Sequence, residues 1–148
     1  MEIRNREAAL CVIRRGETFL VSEVTDPHNG KIYHRPPGGG MEPGELPEQA
    51  VRREVLEELN VTLSEVEALG PLDHVWIWKS REVHERAWIF LANATDDARL
   101  DRGETPELVE ANGDRQSTFW RALDGSGSET LPPLSPANLL EFVRRERR

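Results

Sequence analysis

The sequence predicts an α/β fold in one domain, and three observations lead to that prediction. Short runs of apolar residues, alternating or continuous, predict several strands along the chain. Residues 47–59 carry apolar side chains at helical spacing, and a second helix is expected near the carboxyl end. The chain has 148 residues, the size of one domain. We therefore treat residues 1–148 as a single domain.

The charge composition restricts the class of partner. Asp and Glu number 27 against 19 Lys and Arg, which gives a formal net charge of −8 at pH 7. Proteins that bind the backbone of a long nucleic acid need clustered Lys and Arg, so we expect no such partner. The single cysteine, Cys11, excludes an intramolecular disulfide, and its apolar neighbours predict a buried structural thiol.

The amino-terminal residues predict a cytoplasmic protein that does not enter a membrane. Residues 1–7 lack the apolar core of a signal peptide. No apolar run approaches the roughly 20 residues needed to span a bilayer. The sequence leaves the oligomeric state open, a homodimer included.

The first third of the chain predicts strands and turns. Residues 7–24 are expected to form two strands joined at Arg15-Gly16, and residues 25–30 a loop. A short strand is predicted over residues 31–35. Residues 36–40, Pro-Pro-Gly-Gly-Gly, are expected to end all regular structure there.

The first helix is predicted from Pro47 to Leu59. Proline suits the first helical position, where its missing N–H is not needed. Leu46 is a poor N-cap, so the preceding loop must fix the entry of the helix. Asn60 stands where a left-handed residue is expected to end the helix.

The second half of the chain predicts three more strands and a helix. Residues 73–79 are apolar on both faces, which predicts an interior strand, and residues 85–94 are its expected partner. Residues 96–116 are predicted to form a long loop with little regular structure, followed by a last strand over residues 117–123. Ser135-Pro136 is expected to cap and open the terminal helix.

Three carboxylates give the first helix a candidate chemical function. At about 100° per residue, Glu54, Glu57 and Glu58 fall on one face of the helix. Mg²⁺ prefers oxygen ligands and binds through a few carboxylates together with substrate phosphates. In the preceding glycine run, a free carbonyl would add a neutral oxygen ligand.

The spacing of these residues resembles the Nudix box, G-x5-E-x7-R-E-U-x-E-E-x-G-U, in which U is aliphatic. The chain fills eight of its nine constrained positions between Gly39 and Val61, and Asn60 replaces the late glycine. The matching residues are Gly39, Glu45, Arg53, Glu54, Val55, Glu57, Glu58 and Val61. Pro37-Gly38 before the box and residues 119–123 near the end also resemble the Nudix family. The chain is therefore identified as similar to Nudix hydrolases.

This resemblance implies a Nudix-type α/β/α sandwich with a central mixed sheet and a loop-helix-loop catalytic motif. It implies hydrolysis of a pyrophosphate bond in a nucleoside diphosphate linked to another moiety, with Mg²⁺ or Mn²⁺. The substrate is then a small phosphorylated nucleotide, a nucleotide sugar, ADP-ribose or a dinucleoside polyphosphate. An inactive Nudix-fold module that binds nucleotides or regulates a partner is the alternative. All box glutamates are present, which favours catalysis.

The resemblance also implies a role for each matching residue. It makes Glu54, Glu57 and Glu58 metal ligands, joined by the Gly39 carbonyl, and either Glu54 or Glu57 the general base. Arg53 is expected to act in catalysis by orienting a carboxylate, and Glu45 to be a structural clamp. A further acid from the loop before the last strand serves as base or ligand in some relatives, and four residues are candidates: Glu104, Glu107, Glu110 and Asp114.

The substrate-binding residues are less constrained by the sequence. Arg35 and His34 precede the glycine turn and are our candidates for phosphate binding. His28 and Lys31 are weaker candidates of the same kind. Three aromatic residues either stack on a base or belong to the core: Trp76, Trp78 and Trp88.

Overall fold

A computed structural model describes residues 2–147 of the chain. Its strands are β1 (Ile3–Arg15), β2 (Thr18–Thr25), β3 (Ile32–Arg35), β4 (Gly38–Gly40), β5 (Glu67–Trp78), β6 (Arg81–Asn93), β7 (Leu108–Val109), β8 (Arg115–Gln116) and β9 (Thr118–Ala122). Its helices are α1 (Pro47–Leu59), α2 (Ala98–Asp101) and α3 (Leu139–Glu146), and short 3-10 turns lie at Ala94–Asp96 and Ser128–Thr130.

A mixed sheet forms the centre of the molecule. Its strands follow the order β3-β2-β1-β6-β5, with β4 added to β1 and β9 added to β2. The β1–β6 pair is parallel, and the other pairs of this sheet are antiparallel. Strands β7 and β8 form a separate two-stranded ribbon. The predicted α/β class with a central mixed sheet is confirmed.

Two apolar cores lie on opposite faces of the sheet, because side chains alternate along a strand. In β1, Cys11 faces the core that contains Val51 and Val55 of α1. Its neighbour Val12 faces the second core, which contains Phe142 of α3. The two helices therefore cover the two faces, which is the layered arrangement of an α/β/α sandwich. Cys11 is fully buried, as predicted, and burial raises the pKa of its thiol.

Helix α1 has the boundaries that the sequence predicts. Its first turn is entered without a side-chain cap from Leu46, whose backbone N–H donates to Gln49 Oε1 at 2.9 Å. Asn60 takes the left-handed conformation, with φ 57° and ψ 41°, and ends the helix. Asn60 therefore ends the helix in the left-handed conformation, as the glycine of the Nudix box would.

The glycine run continues the regular structure, which corrects the prediction that it ends there. Gly38–Gly40 form β4 and pair antiparallel with Ala8–Leu10 of β1. A Cβ on Gly38 would lie 2.1 Å from the Ala9 carbonyl oxygen, and its φ is +138°. The strand approaches β1 this closely because it carries no side chains.

Three other predictions differ from the structure. Strand β5 is longer than expected and lies at the edge of the sheet, so the prediction of an interior strand is wrong. Val75 and Ile77, which project to the same face of β5, are exposed. The segment 96–116 contains a helical turn and the β7–β8 ribbon. Helix α3 starts at Leu139, because buried Ser135 instead hydrogen-bonds the backbone of His34.

None of the helices in residues 2–147 is long and apolar enough to cross a membrane.

Replacement of Gly38 by alanine should destabilise the protein strongly. The added Cβ would overlap the backbone of β1, and an L-residue at this φ is strained, so we expect a loss of about 3 kcal/mol or more in the free energy of unfolding. Urea denaturation followed by circular dichroism measures the loss. The matched control is Gly40→Ala, whose Cβ meets only the flexible end of Arg6 at 3.4 Å. Equal stabilities of the two variants would contradict this account of β4.

Candidate active site

A cleft of about 950 Å³ lies beside β4 and the acidic face of α1. One wall carries the glycine strand and the α1 glutamates, and the ribbon β7–β8 adds Glu110 and Asp114. The other wall comes from β1, β3 and the end of the β5–β6 hairpin. It carries Arg4, Arg6, Arg35, Trp76, Trp78 and Lys79. The cleft therefore has an acidic wall opposite a basic and aromatic wall.

Arg53 joins the loop after β4 to helix α1. Its Nε and Nη2 donate to the two carboxylate oxygens of Glu45, at 2.7 and 2.9 Å. Nη2 also donates to the Gly40 carbonyl at 3.2 Å, and Nη1 donates to Glu54 at 3.0 Å and to Glu57 at 3.3 Å. The hydrogen bonds from Arg53 lower the pKa of Glu45 to about 2. One guanidinium thus fixes the loop and two of the helix carboxylates together.

Glu58 and Glu54 lie on the inner side of the helix, against the glycine strand. Glu58 is buried and accepts a hydrogen bond from the Gly38 N–H at 2.9 Å. Burial, with the nearby charge of Glu110, raises the pKa of Glu58 to about 9. A Cβ on Gly39 would lie 2.8 Å from the Glu54 carboxyl carbon, so only glycine fits this contact. Burial likewise raises the pKa of Glu54.

The structure separates the four acidic candidates of the 96–116 segment. Glu104 pairs with Arg102, and Glu107 pairs with Arg115, both at the surface. Glu110 and Asp114 line the cleft. Glu110 accepts a hydrogen bond from Gln116 at 3.1 Å, and burial raises its pKa. The turn of the β7–β8 ribbon therefore brings the half-buried carboxylate of Glu110 toward Glu58.

The donor set of the acidic wall fits a hard divalent cation in its chemistry. It offers carboxylate oxygens that burial and mutual repulsion make costly to ionise, and a bound cation removes both costs. The side chains are not preassembled, because residues 2–147 contain no group of three His, Cys, Asp or Glu side chains placed to hold a metal ion. Arg53 Nη1 lies between Glu54 and Glu57 instead.

The opposite wall contains a buried ionic cluster around Glu85 of β6. Arg35 Nη2 donates to both Glu85 oxygens at 2.8 Å, and His74 Nε2 lies 2.7 Å from Oε1. Arg6 Nε forms an ion pair with Oε2 at 2.9 Å. Burial alone would raise the pKa of Glu85, but its basic neighbours outweigh burial and lower it to about 2.

An aromatic group continues the basic wall. The Trp76 and Trp78 rings are stacked with centroids 5.2 Å apart, and the Tyr33 ring meets Trp76 edge-on at 5.3 Å. The Arg35 guanidinium carbon lies 5.0 Å from the centre of the Trp76 ring. Trp88 belongs elsewhere, since it packs against the α1 core. Two of the three candidate tryptophans therefore face the cleft.

His34 lies away from the cleft, unlike its neighbour Arg35. Alternation along β3 turns its ring to the other side, where it is buried and stacks on Phe119 with centroids 5.5 Å apart. Its ring nitrogens contact Glu23 and Arg121. We therefore leave His34 out of the substrate-binding residues. His28 contacts Ser80, Lys31 lies over the Tyr33 ring, and neither lines the cleft.

The sequence reasoning missed Arg6, which lines the cleft, and Glu85, the buried carboxylate that Arg6 contacts. A signal for Glu85 was present, because alternation places it between Val83 and Ala87 on the inward face of β6. Arg6 shares the face of β1 that carries Leu10, and β1–β6 register sets it opposite Glu85. A charged residue in an apolar alternation is therefore the pattern that finds such clusters.

Comparison with known proteins gives two groups of relatives. The RNA pyrophosphohydrolase of Photobacterium profundum is 33% identical over 99 residues, which cover 57% of this chain and 55% of the relative. That of Vibrio cholerae is 30% identical over the same shares. The chain thus spans about half the length of the curated relatives it matches.

Solved structures resemble almost the whole chain. A MutT NUDIX hydrolase from Burkholderia pseudomallei superimposes with a TM-score of 0.65 and 28% identity, covering 95% of this chain and 98% of the other. A MutT protein from Methanosarcina mazei Go1 has a TM-score of 0.63 and 22% identity, covering 100% and 96%, and shows the fold alone. The model of the NUDIX domain matches residues 4–125. The chain belongs to the NUDIX domain family.

Proposed function

We propose that the chain hydrolyses a pyrophosphate bond in a nucleotide-type substrate with the help of Mg²⁺ or Mn²⁺. The observation that carries the proposal is the cleft itself, in which the glutamates of α1 face a basic and aromatic wall. The glutamates suit a divalent cation, the basic wall suits phosphate, and the indole rings suit a base. The names of the curated relatives and of the solved MutT proteins support hydrolysis of this bond.

In this proposal each residue of the acidic wall has a role. Glu54, Glu57, Glu58 and the Gly39 carbonyl hold the cation, which supplies positive charge to the phosphate chain and activates water. Glu54 or Glu57 takes the proton of the attacking water. Arg53 is a positioning residue, because it ties Glu54 and Glu57 to the loop through Glu45. Glu110, on the ribbon β7–β8, is a further carboxylate available to assist them.

The opposite wall orients the substrate. Arg35 is proposed to attract phosphate and to support Trp76, on whose ring it lies. Trp76 and Trp78 provide stacking surface for a base, which does not discriminate strongly between bases. We propose small nucleotides as substrates in preference to long RNA, since the net charge of −8 repels a long polyanion.

Replacement of the helix glutamates should remove turnover. We expect Glu57→Gln and Glu58→Gln each to lower kcat by about a hundredfold or more, because a metal ligand or base is lost. Phosphate release measures kcat, and circular dichroism checks the fold. The matched control on α1 is Glu48→Gln, which removes only a surface pair with Arg52. Wild-type kcat in both site variants would refute the assignment of the acidic wall.

Removal of divalent cations should abolish hydrolysis without unfolding the chain. We expect phosphate release to stop in EDTA and to return on addition of excess Mg²⁺ or Mn²⁺, since the cation is proposed to supply charge to the phosphate chain and to activate the attacking water. The thermal midpoint, measured in parallel, should remain in the folded range. Undiminished hydrolysis in EDTA would show that the reaction does not need the cation.

A substrate panel separates the enzyme from an inactive nucleotide-binding module. The panel contains nucleoside triphosphates, nucleotide sugars, ADP-ribose, dinucleoside polyphosphates and an RNA with a 5′-triphosphate, because some relatives are named for RNA. We expect turnover of at least one mononucleotide or dinucleotide class, and faster turnover of it than of the RNA. No turnover of any member with either metal would favour the binding module.

A further inference from the structure

The basic wall holds more positive charge than its buried carboxylate can neutralise. Two guanidiniums, of Arg6 and Arg35, contact the single carboxylate of Glu85, whose side chain has no exposed surface. A single nitrogen of Arg35, Nη2, donates hydrogen bonds to both carboxylate oxygens of Glu85. One positive charge therefore remains in the cluster even when His74 is neutral.

Arg6 is the member of the cluster that remains available to a ligand. Its side chain is 27% exposed, against 10% for Arg35. Its Nε faces Glu85, although the angle of that ion pair is too poor for a hydrogen bond. Within the described part of the chain, the Nη1 and Nη2 atoms of Arg6 make no hydrogen bond. They lie over the glycine strand, where a Cβ on Gly40 would be 3.4 Å from Nη2.

The position of Arg6 places its side chain in the lining of the cleft. Gly40 is one residue from Gly39, which touches the Glu54 carboxyl group. Neighbouring strand residues face opposite sides of a sheet, so Arg6 and Glu54 approach β4 from different faces. Both side chains nevertheless line the same cleft, and a phosphate bound in it would lie within reach of Arg6. Burial lowers the pKa of Arg6, with Arg35 adding repulsion, and a bound anion would relieve both effects.

We propose that Arg6 binds a phosphate group of the substrate through its free Nη atoms, and that Glu85 positions Arg6 for this contact. Arg6 and Arg35 together carry one more positive charge than Glu85 neutralises, and Arg6, the more exposed of the two, presents that charge to the phosphate. Glu85 itself does not touch the substrate and is a positioning residue. The inference rests on the proposed function for the identity of the ligand as part of a polyphosphate chain. It does not rest on hydrolysis.

The test is binding of inorganic pyrophosphate to the full chain after a chelating resin has removed divalent cations. Isothermal titration calorimetry gives Kd for wild type, Arg6→Gln and Arg86→Gln. Arg86 precedes Ala87 on β6, is paired with Asp73 at the surface, and its replacement changes net charge equally. We expect Arg6→Gln to raise Kd about tenfold or more, the effect of one charged hydrogen bond, and Arg86→Gln to leave it unchanged.

The role of Glu85 is tested with Glu85→Gln, which keeps shape but releases both arginines. We expect Kd for pyrophosphate to rise in the folded protein, measured well below its thermal midpoint, and KM to rise more than kcat falls. A purely structural role would lower the thermal midpoint and leave Kd unchanged. If Glu85→Gln does not fold, Glu85→Asp tests the same role, because it keeps the charge and both Arg6 and Arg35 but moves the carboxylate away from them, and Kd for pyrophosphate should again rise.

The outcomes separate this inference from the proposed function. Equal Kd for wild type and Arg6→Gln, or no binding of pyrophosphate by wild type, would overturn the inference even if the chain hydrolyses nucleotides. Loss of binding in Arg6→Gln supports it even if the substrate panel shows no turnover. Hydrolysis with metal and pyrophosphate binding without metal are thus judged by independent measurements.

Discussion

The contacts of Arg53 are the interaction on which the geometry of the candidate site depends. A glycine strand, a loop and a helix have no intrinsic reason to keep a fixed distance. Arg53 joins them because five polar contacts run from one planar group to Glu45, Gly40, Glu54 and Glu57. An arginine side chain suits this task, since its donors diverge in a fixed plane. The helix carboxylates face the glycine strand as a result.

The two walls of the cleft carry opposite net charges because the ratio of arginines to carboxylates differs between them. On the acidic wall Arg53 is shared among several carboxylates, so Glu58 and Glu110 are left to repel each other. On the basic wall one carboxylate is shared between arginines. Each wall therefore keeps an excess of one charge, although Arg35, across the cleft, offsets part of the rise that burial causes in the pKa of Glu58 and of Glu110. A phosphate chain with a bound divalent cation complements both walls, since the cation faces the acidic wall and the phosphate faces the basic wall.

Local patterns in the sequence predicted the parts of the fold that local rules control. The bounds of α1, the left-handed Asn60 and the burial of Cys11 follow from proline preference, end geometry and an apolar run. Local patterns did not predict that β5 lies at the edge of the sheet, because its apolar residues line the cleft as well as the core. Pairing of β4 with β1 was missed because a glycine run usually ends a strand. Alternation along β6 marks Glu85, but its partners depend on register between strands far apart in sequence, which local patterns do not give.

The stacked pair of Trp76 and Trp78 gives the cleft an optical signal of its own. Two indole rings with centroids 5.2 Å apart have coupled electronic transitions, so their ultraviolet circular dichroism depends on their mutual orientation. The other two tryptophans, Trp88 and Trp120, lie against the α1 core and do not belong to this pair. Spectral change from the pair would therefore report events in the cleft without an added dye. The protein carries its own spectroscopic probe where a ligand would arrive.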